Sequence, residues 1–351
     1  MLLDGFYSTL IDEFPWIVRN RYTGLSKISC GAQGIVCLAK DNTSKNVVIK
    51  KLLRPLESNG NAKRSLREIL ILRCLRQEPH PHIINFKEVY TTDTSPSSLR
   101  NIYLVTEYIG KDLAASLREV GRYNEGDALK ITSQVLSGLA YLHSGGILHR
   151  DLKPSNITIS DNFEVKIFDF GLSRSASDEM SGYVVTRPYR APEITCNGNY
   201  YKANADVWSV GCILMELLTG QILFQGTSSI EHFKNIINFV GTPNDSVLSK
   251  IPSAINFIKS LNYRHPVDLH DYIPHVHESI IQLLQAMLRF DPDDRPSAKE
   301  ALKHDSFRYF GATTYVADCD YNCPIWEVHF DSQTLELENL KELIWNECQK
   351  G

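Results

Sequence analysis

HRDLKPSN at residues 149–156 and DFG at residues 169–171 frame the stretch from which this chain is best read. Asp151 and Asp169 stand 18 positions apart, a separation that one short β-hairpin fits. Between the motifs, ITISDNFEVKIF (157–168) has β-branched runs on either side of Asp161-Asn162, which is a hairpin signal. A hairpin there brings both ends of the segment to one edge, and with them Asp151, Asn156 and Asp169. Neither triplet means much alone, since HRD or DFG arises easily by chance. The order and the distance carry the information.

Working outward, 351 residues suit one large domain with two lobes, or two small domains. A hydrophobic content of 43% and a charged content of 22% are ordinary for a globular chain. The net charge of −4 offers no basic face, so no nucleic-acid partner is expected. Eight cysteines are scattered from Cys30 to Cys348, which reads as reduced thiols and not as a disulfide framework. Cys319 and Cys323 lie close, but no second pair or His cluster completes a zinc site. MLLDGFYSTLIDEF carries Asp4, Asp12 and Glu13 without a basic start, unlike a signal peptide. No stretch approaches the roughly 20 apolar residues that span a bilayer. The expectation is a cytoplasmic or nuclear protein with no membrane partner, and a monomer by default.

Residues 25–51 alternate apolar and polar positions, with glycines near the start, and read as hairpin-rich β structure. NAKRSLREILILRCLRQ (61–77) sets Leu66, Ile69, Leu70, Leu72 and Leu75 on a helical stripe. HIINFKEVY and NIYLVTEYI read as two strands joined by a polar loop. Beyond about 112 the balance shifts to helix, in ALKITSQVLSGLAYLHS, ADVWSVGCILMELLTG and ESIIQLLQAMLRF. The expected architecture is α+β: a small β-rich lobe, a larger helical lobe and a ligand cleft at the crossover near 106–112.

Taken together these motifs resemble the protein kinases, and the bilobal kinase fold is the implied one. The resemblance implies an extension over 1–24, an N-lobe over 25–106, a C-lobe over 107–310 and a C-terminal extension over 311–351 that returns to the N-lobe. ISCGAQGIV (28–36) is similar to the kinase glycine-rich loop, with Ser29 at the first glycine position; Gly31 and Gly34 let the backbone approach phosphate oxygens. Lys50 stands at the lysine of the V-A-I-K strand, and Glu68 is its candidate partner on the following helix. Asp151 is implied to orient the substrate hydroxyl and Lys153 to neutralise the transferring group. Asn156 and Asp169 are implied to hold Mg²⁺ on ATP. The nucleotide contacts so implied are Ile28, Ser29, Gly31, Ala32, Gly34, Val36, Val48 and Lys50 on the first strands. Thr106, Glu107, Ile109, Asp112 and Thr158 complete the set. Glu193 and Arg295 are expected as a structural ion pair, and Asp206 as an anchor for the catalytic-loop backbone.

Within the kinases, GAQGIVC, KRSLREIL, SGGILHRDLKPSNI, YVVTR and WSVGCI are similar to the stress-activated branch of the mitogen-activated protein kinases, including the Jun-N-terminal-kinase type. LVTEYIGKDL, with Thr106 as gatekeeper, looks more like the other stress-activated subgroup. Residues about 241–275 fit the insertion shared by cyclin-dependent and mitogen-activated kinases, and LENLKELIWNE resembles the latter's C-terminal helix. Ser181-Gly182-Tyr183 stands where that family has a doubly phosphorylated T-x-Y switch. Arg67, Arg150, Arg174, Arg187 and Arg190 match its phosphate-binding positions. Asp318 and Asp320 fall near its acidic docking patch. The implied partners are an upstream dual-specificity kinase, phosphatases and substrates with basic-hydrophobic docking motifs, with proline after the acceptor residue. Two rival readings are a related kinase that phosphorylates its own tyrosine and a catalytically silent scaffold; the intact Lys50, Asp151, Asn156 and Asp169 speak against the second. Ser29, Val48, Thr158 and Phe168 depart from the usual pattern around the nucleotide, and their bulk leads us to expect weaker ATP binding than is typical. Pro188 replaces an aromatic residue in TR-x-YR.

Overall fold

Period-two alternation over the first strands makes a sheet with two unlike faces, and what covers each face positions the site. The computed structural model describes residues 4–31, 34–175, 187–196, 201–312 and 335–350. It comprises two compact units. One takes the chain to Ile109, with Asp169–Gly171 and the C-terminal helix Leu337–Gln349; the other takes Gly110–Phe168 and the chain from Leu172.

In the first unit, β1 (Phe6–Ile11) and β2 (Phe14–Arg19) pair as an antiparallel hairpin, with Asp12 and Glu13 at φ 46° and 67° in its turn. β3 (Thr23–Gly31), β4 (Gly34–Lys40), β5 (Asn46–Leu52), β6 (Phe86–Thr91) and β7 (Ile102–Glu107) form an antiparallel sheet in the order β3-β4-β5-β7-β6. Ile35, Cys37, Ala39, Val47, Ile49, Tyr103 and Val105 point to one face and pack with Trp16 and Val18 of the hairpin. Full burial of side chains of this size contributes about 1.5–3 kcal/mol each. The opposite face carries Lys50, set across from Val36 and Leu104, and Val48, set across from Leu38 and Thr106.

α1 (Asn59–Gln77) starts at Ser58, whose Oγ accepts from Asn61 N at 3.2 Å. Leu66, Ile69, Leu72 and Leu75 are buried, as the stripe requires. Ile71 and Cys74 are buried as well, whereas Leu70 is only half-buried. The buried face is wider than the periodicity indicated because the C-terminal helix also packs on α1. There Arg73 Nε lies 2.8 Å from Glu347 Oε2, and Arg73 Nη2 donates to Glu347 O at 2.7 Å. HIINFKEVY becomes strand only from Phe86, since the residues before it turn, with Ile83 N donating to His80 O.

The second unit opens with β8 (Lys111–Asp112), α2 (Leu113–Val120), α3 (Glu125–Ser144) and β9 (Ile147–Leu148). β10 (Ile157–Ile159) and β11 (Val165–Ile167) form the expected hairpin about Asp161-Asn162, and β12 (Arg174–Ser175) pairs with β9. Then come α4 (Pro192–Cys196), α5 (Ala203–Thr219) and α6 (Ser229–Val240). Short helices α7 (Asp245–Leu248), α8 (Ile255–Ser260) and α9 (Leu269–Tyr272) occupy the 241–275 stretch. α10 (Glu278–Met287), α11 (Ala298–Ala301) and α12 (Asp305–Tyr309) complete the unit. α5 is buried from Ala205 to Leu218, its Asp206, Ser209 and Glu216 included, and ends at Gly220 with φ 73°. Among the described residues no helix is long and apolar enough to cross a membrane.

Candidate active site

Lys50 projects from the sheet face opposite the β1–β2 hairpin because its neighbours Ile49 and Lys51 alternate to the other side. Its Nζ donates to Glu68 Oε1 on α1 at 2.6 Å and lies 3.5 Å from Asp169 Oδ1. Burial alone would lower the lysine's pKa, but the charges of Asp169 and Glu68 outweigh it and hold the ammonium above its ordinary range. Burial pushes the Glu68 carboxyl up while Lys50 pulls it back. On balance the Glu68 pKa is raised, with burial the largest cause.

Asp169 has φ 66° and Arg150 φ 70°. Left-handed backbone at a non-glycine residue costs on the order of 1–3 kcal/mol and persists where the surroundings over-determine it. For Arg150 the cause is visible. Asp206 on α5, fully buried, accepts from His149 N and Arg150 N at 2.9 Å each and from Tyr201 Oη at 2.7 Å. His143 Nε2 on α3 lies 2.9 Å from the same carboxylate. Burial would raise Asp206, yet His143, His149 and the backbone donor outweigh it and hold its pKa below the usual carboxylate value. The carboxylate thus anchors the HRD backbone, as the sequence led us to expect.

On this anchored loop Lys153 Nζ donates to Asp151 Oδ2 at 2.7 Å. Asn156 Nδ2 donates to Asp151 O at 2.8 Å and to Asp151 Oδ2 at 3.0 Å. His149 Nδ1 accepts from Asp151 N, which leaves Nε2–H to donate to Phe168 O at 3.2 Å. With the amide nitrogen of Asn156 committed to Asp151, its Oδ1 is the atom suited to a cation. An amide oxygen is a hard donor of the kind Mg²⁺ takes alongside phosphate oxygens and water. Among the described residues no group of three or more His, Cys, Asp or Glu side chains is placed to hold a metal ion.

The remaining candidates are distributed as follows. Ser29 and Gly31 pair with Val36 and Gly34 across β3 and β4, and Ile28 is exposed. Ala32 lies outside the described residues. Glu107 Oε1 accepts from Asn85 N at 2.8 Å. Asp112 Oδ1 accepts from Ala115 N at 2.8 Å and caps α2. Thr158 Oγ1 donates to Gly110 O at 3.0 Å and is close to Lys111 O at 3.2 Å. A Cβ on Gly110 would lie 1.9 Å from Ile159 O, so this position admits only glycine without a shift.

Of the five arginines, Arg174 pairs with Leu148 in the β9–β12 ladder, and Arg150 follows two residues after that strand. The Arg150 guanidinium lies 5.3 Å from the Tyr201 ring centroid. Arg67, in the first unit, is buried and donates to Gly171 O at 3.1 Å. Arg187 Nη1 donates to Thr227 O at 2.7 Å, and Arg190 O faces His232 Nε2 at 3.2 Å. Ser181, Tyr183, Asp318 and Asp320 lie outside the described residues. Glu193 and Arg295 form the expected pair, bidentate at 2.7 Å for both contacts. Sequence reasoning missed His143, Tyr201 and His232, whose partners are distant in the chain and carry no motif.

A protein kinase domain model matches residues 22–307. The chain is 40% identical over 350 residues to mitogen-activated protein kinase pmk-1 of Caenorhabditis elegans, covering 98% of this chain and 90% of that protein. It is 39% identical over 345 residues to mitogen-activated protein kinase 14 of Xenopus laevis, covering 97% and 93%. Against mitogen-activated protein kinase pmk-2 of C. elegans the figure is 38% over 372 residues, covering 99% and 87%. Protein kinases in general use ATP with Mg²⁺, and mitogen-activated protein kinases act with upstream kinases and protein substrates. A lysine–glutamate pair, an anchored HRD loop and near-full-length identity to such kinases agree: this chain is a serine/threonine protein kinase and belongs to the mitogen-activated protein kinase family, in its stress-activated branch.

Proposed function

We propose that this kinase transfers the γ-phosphoryl group of ATP to serine or threonine hydroxyls that precede proline, and that phosphorylation of Ser181 and Tyr183 switches it on. The observation that carries the chemistry is the Lys50–Glu68 pair at 2.6 Å beside Asp169. Lys50, kept charged by its two carboxylates, binds the α- and β-phosphates. Asp151 orients the acceptor hydroxyl and receives its proton as the oxygen–phosphorus bond forms and the bond to ADP breaks. Lys153, at 2.7 Å from Asp151, balances charge on the group in transit. Asn156 and Asp169 are the residues that would each offer an oxygen to Mg²⁺. When bound, the ion supplies charge neutralisation at the phosphate oxygens.

The switch reading rests on the pairing of Arg174 with Leu148, two residues before Arg150 of the HRD motif. An upstream dual-specificity kinase, opposing phosphatases and substrates with basic-hydrophobic docking segments are the partners this implies, in cytoplasm and nucleus. The test is a peptide array with protein phosphorylated at both Ser181 and Tyr183. Ser-Pro and Thr-Pro acceptors should be labelled above non-proline ones, and Lys50→Met should remove labelling. Equal labelling by Lys50→Met would refute the catalytic assignment, and indifference to proline would refute the acceptor preference alone.

A further inference from the structure

The first unit holds a polar surface cavity of about 360 Å³, lined by Arg21, Asn42, Arg76, Asn85 and Lys87 beside Asp41. We propose that it is a binding site for a phosphomonoester dianion. The charge balance carries the inference. Arg19 and Arg21 share the single carboxylate of buried Glu88, which also accepts from Tyr22 Oη at 2.6 Å. Lys87 Nζ is 3.9 Å from Asp41 Oδ2, at the edge of an ion pair. Asp41 Oδ1 is already engaged by Thr43 N, Thr43 Oγ1 and Lys45 N within its own turn. Arg76 has no carboxylate partner among the described residues; its Nη1 donates to Lys87 O at 2.6 Å, which holds the guanidinium at the cavity. Three cations, Arg21, Arg76 and Lys87, therefore line the cavity with one carboxylate, Asp41, an excess of two positive charges on a chain whose net charge is −4.

The neutral donors agree with an anion. Neither the Asn42 nor the Asn85 side-chain amide has a hydrogen-bond partner among the described residues, and both line the cavity. Guanidinium forks with a neighbouring ammonium and amide donors are the chemistry that recognises a tetrahedral phosphate. The cavity is built from the turn after β2, the β4–β5 turn, the end of α1 and the start of β6, so it does not depend on the nucleotide-binding face of the sheet.

The dianion can come from a phosphorylated protein segment or from a free phosphorylated small molecule, and the experiment separates them. Inorganic phosphate, a short phosphoserine peptide and its unphosphorylated twin are titrated into the full chain at fixed ionic strength. The amide resonances of Asn42 and Asn85 report binding. A saturable shift with phosphate or phosphoserine peptide is expected, weakened at least about tenfold in Arg76→Gln/Lys87→Gln. Phosphorylation of a substrate peptide should be unchanged in that variant. Tighter binding of the peptide than of phosphate identifies a protein segment; equal binding identifies the free anion. No saturable shift, an equal response to the unphosphorylated twin, or unaltered affinity in the variant overturns the proposal. Should the double variant fail to fold, Asn42→Asp, which adds repulsion without removing a cation, must weaken binding in the same direction.

Discussion

At the scale of single residues the catalytic loop is held by atoms that the HRD motif does not contain. Asp206, His143 and Tyr201 converge on the backbone of His149 and Arg150 because that backbone has a positive-φ residue whose N–H groups need fixed acceptors. Gly110 makes the same point through space. With 1.9 Å between a built Cβ and Ile159 O, Gly110→Ala must displace β10 or the chain before β8. A loss of about 1–3 kcal/mol in urea unfolding is expected. Unchanged stability would mean the two segments are not in contact. The hairpin between the HRD and DFG motifs was legible in the sequence; that Thr158 bonds the carbonyls of Gly110 and Lys111 was not, because a hydroxyl's partner depends on a strand pairing set elsewhere.

At the scale of elements, two buried charges join helices to loops. Arg295, with a fully buried side chain, binds Glu193 on α4 and also donates to Arg289 O and Phe290 O. Removing the carboxylate leaves a guanidinium in apolar surroundings, so Glu193→Ala should cost about 3–5 kcal/mol, read by thermal or urea unfolding. Asp206 ties α5 to α3 and to the HRD loop, and its pKa lies below the usual carboxylate value. A depressed pKa contributes stability that is complete above the unfolded value of about 4 and is lost as pH falls through the folded value. The stability gap between the wild type and Asp206→Asn should therefore be constant from pH 7 to about 5 and shrink below about 4. A gap that grew on acidification would contradict the assignment.

At the scale of the molecule, each unit closes its own core. The β1–β2 hairpin brings Trp16 and Val18, both fully buried, against one face of the sheet, which leaves the Lys50 face for chemistry. Deleting residues 1–20 should expose Ile35, Val47 and Ile49 and speed amide exchange throughout β4, β5 and β7. Unaltered exchange would show that the sheet does not need this cover. The alternation in FYSTLIDEFPWIVR is compatible with a hairpin, yet nothing local says which sheet it covers. α1 teaches the same lesson: its stripe accounted for Leu66, Ile69, Leu72 and Leu75, but the burial of Ile71 and Cys74 followed from a helix that lies far away in the sequence.

By itself the sequence determined the β10–β11 hairpin between the HRD and DFG motifs and the periodicities of α3, α5 and α10, because these depend on neighbours within a few residues. Only the tertiary structure decided that Glu68 reaches Lys50 at 2.6 Å, that Arg67 is turned to Gly171 O, and that one buried carboxylate holds the HRD backbone. The physical reason is desolvation. A charged group withdrawn from water must find its partner wherever the fold puts one, and that distance is not written in local sequence.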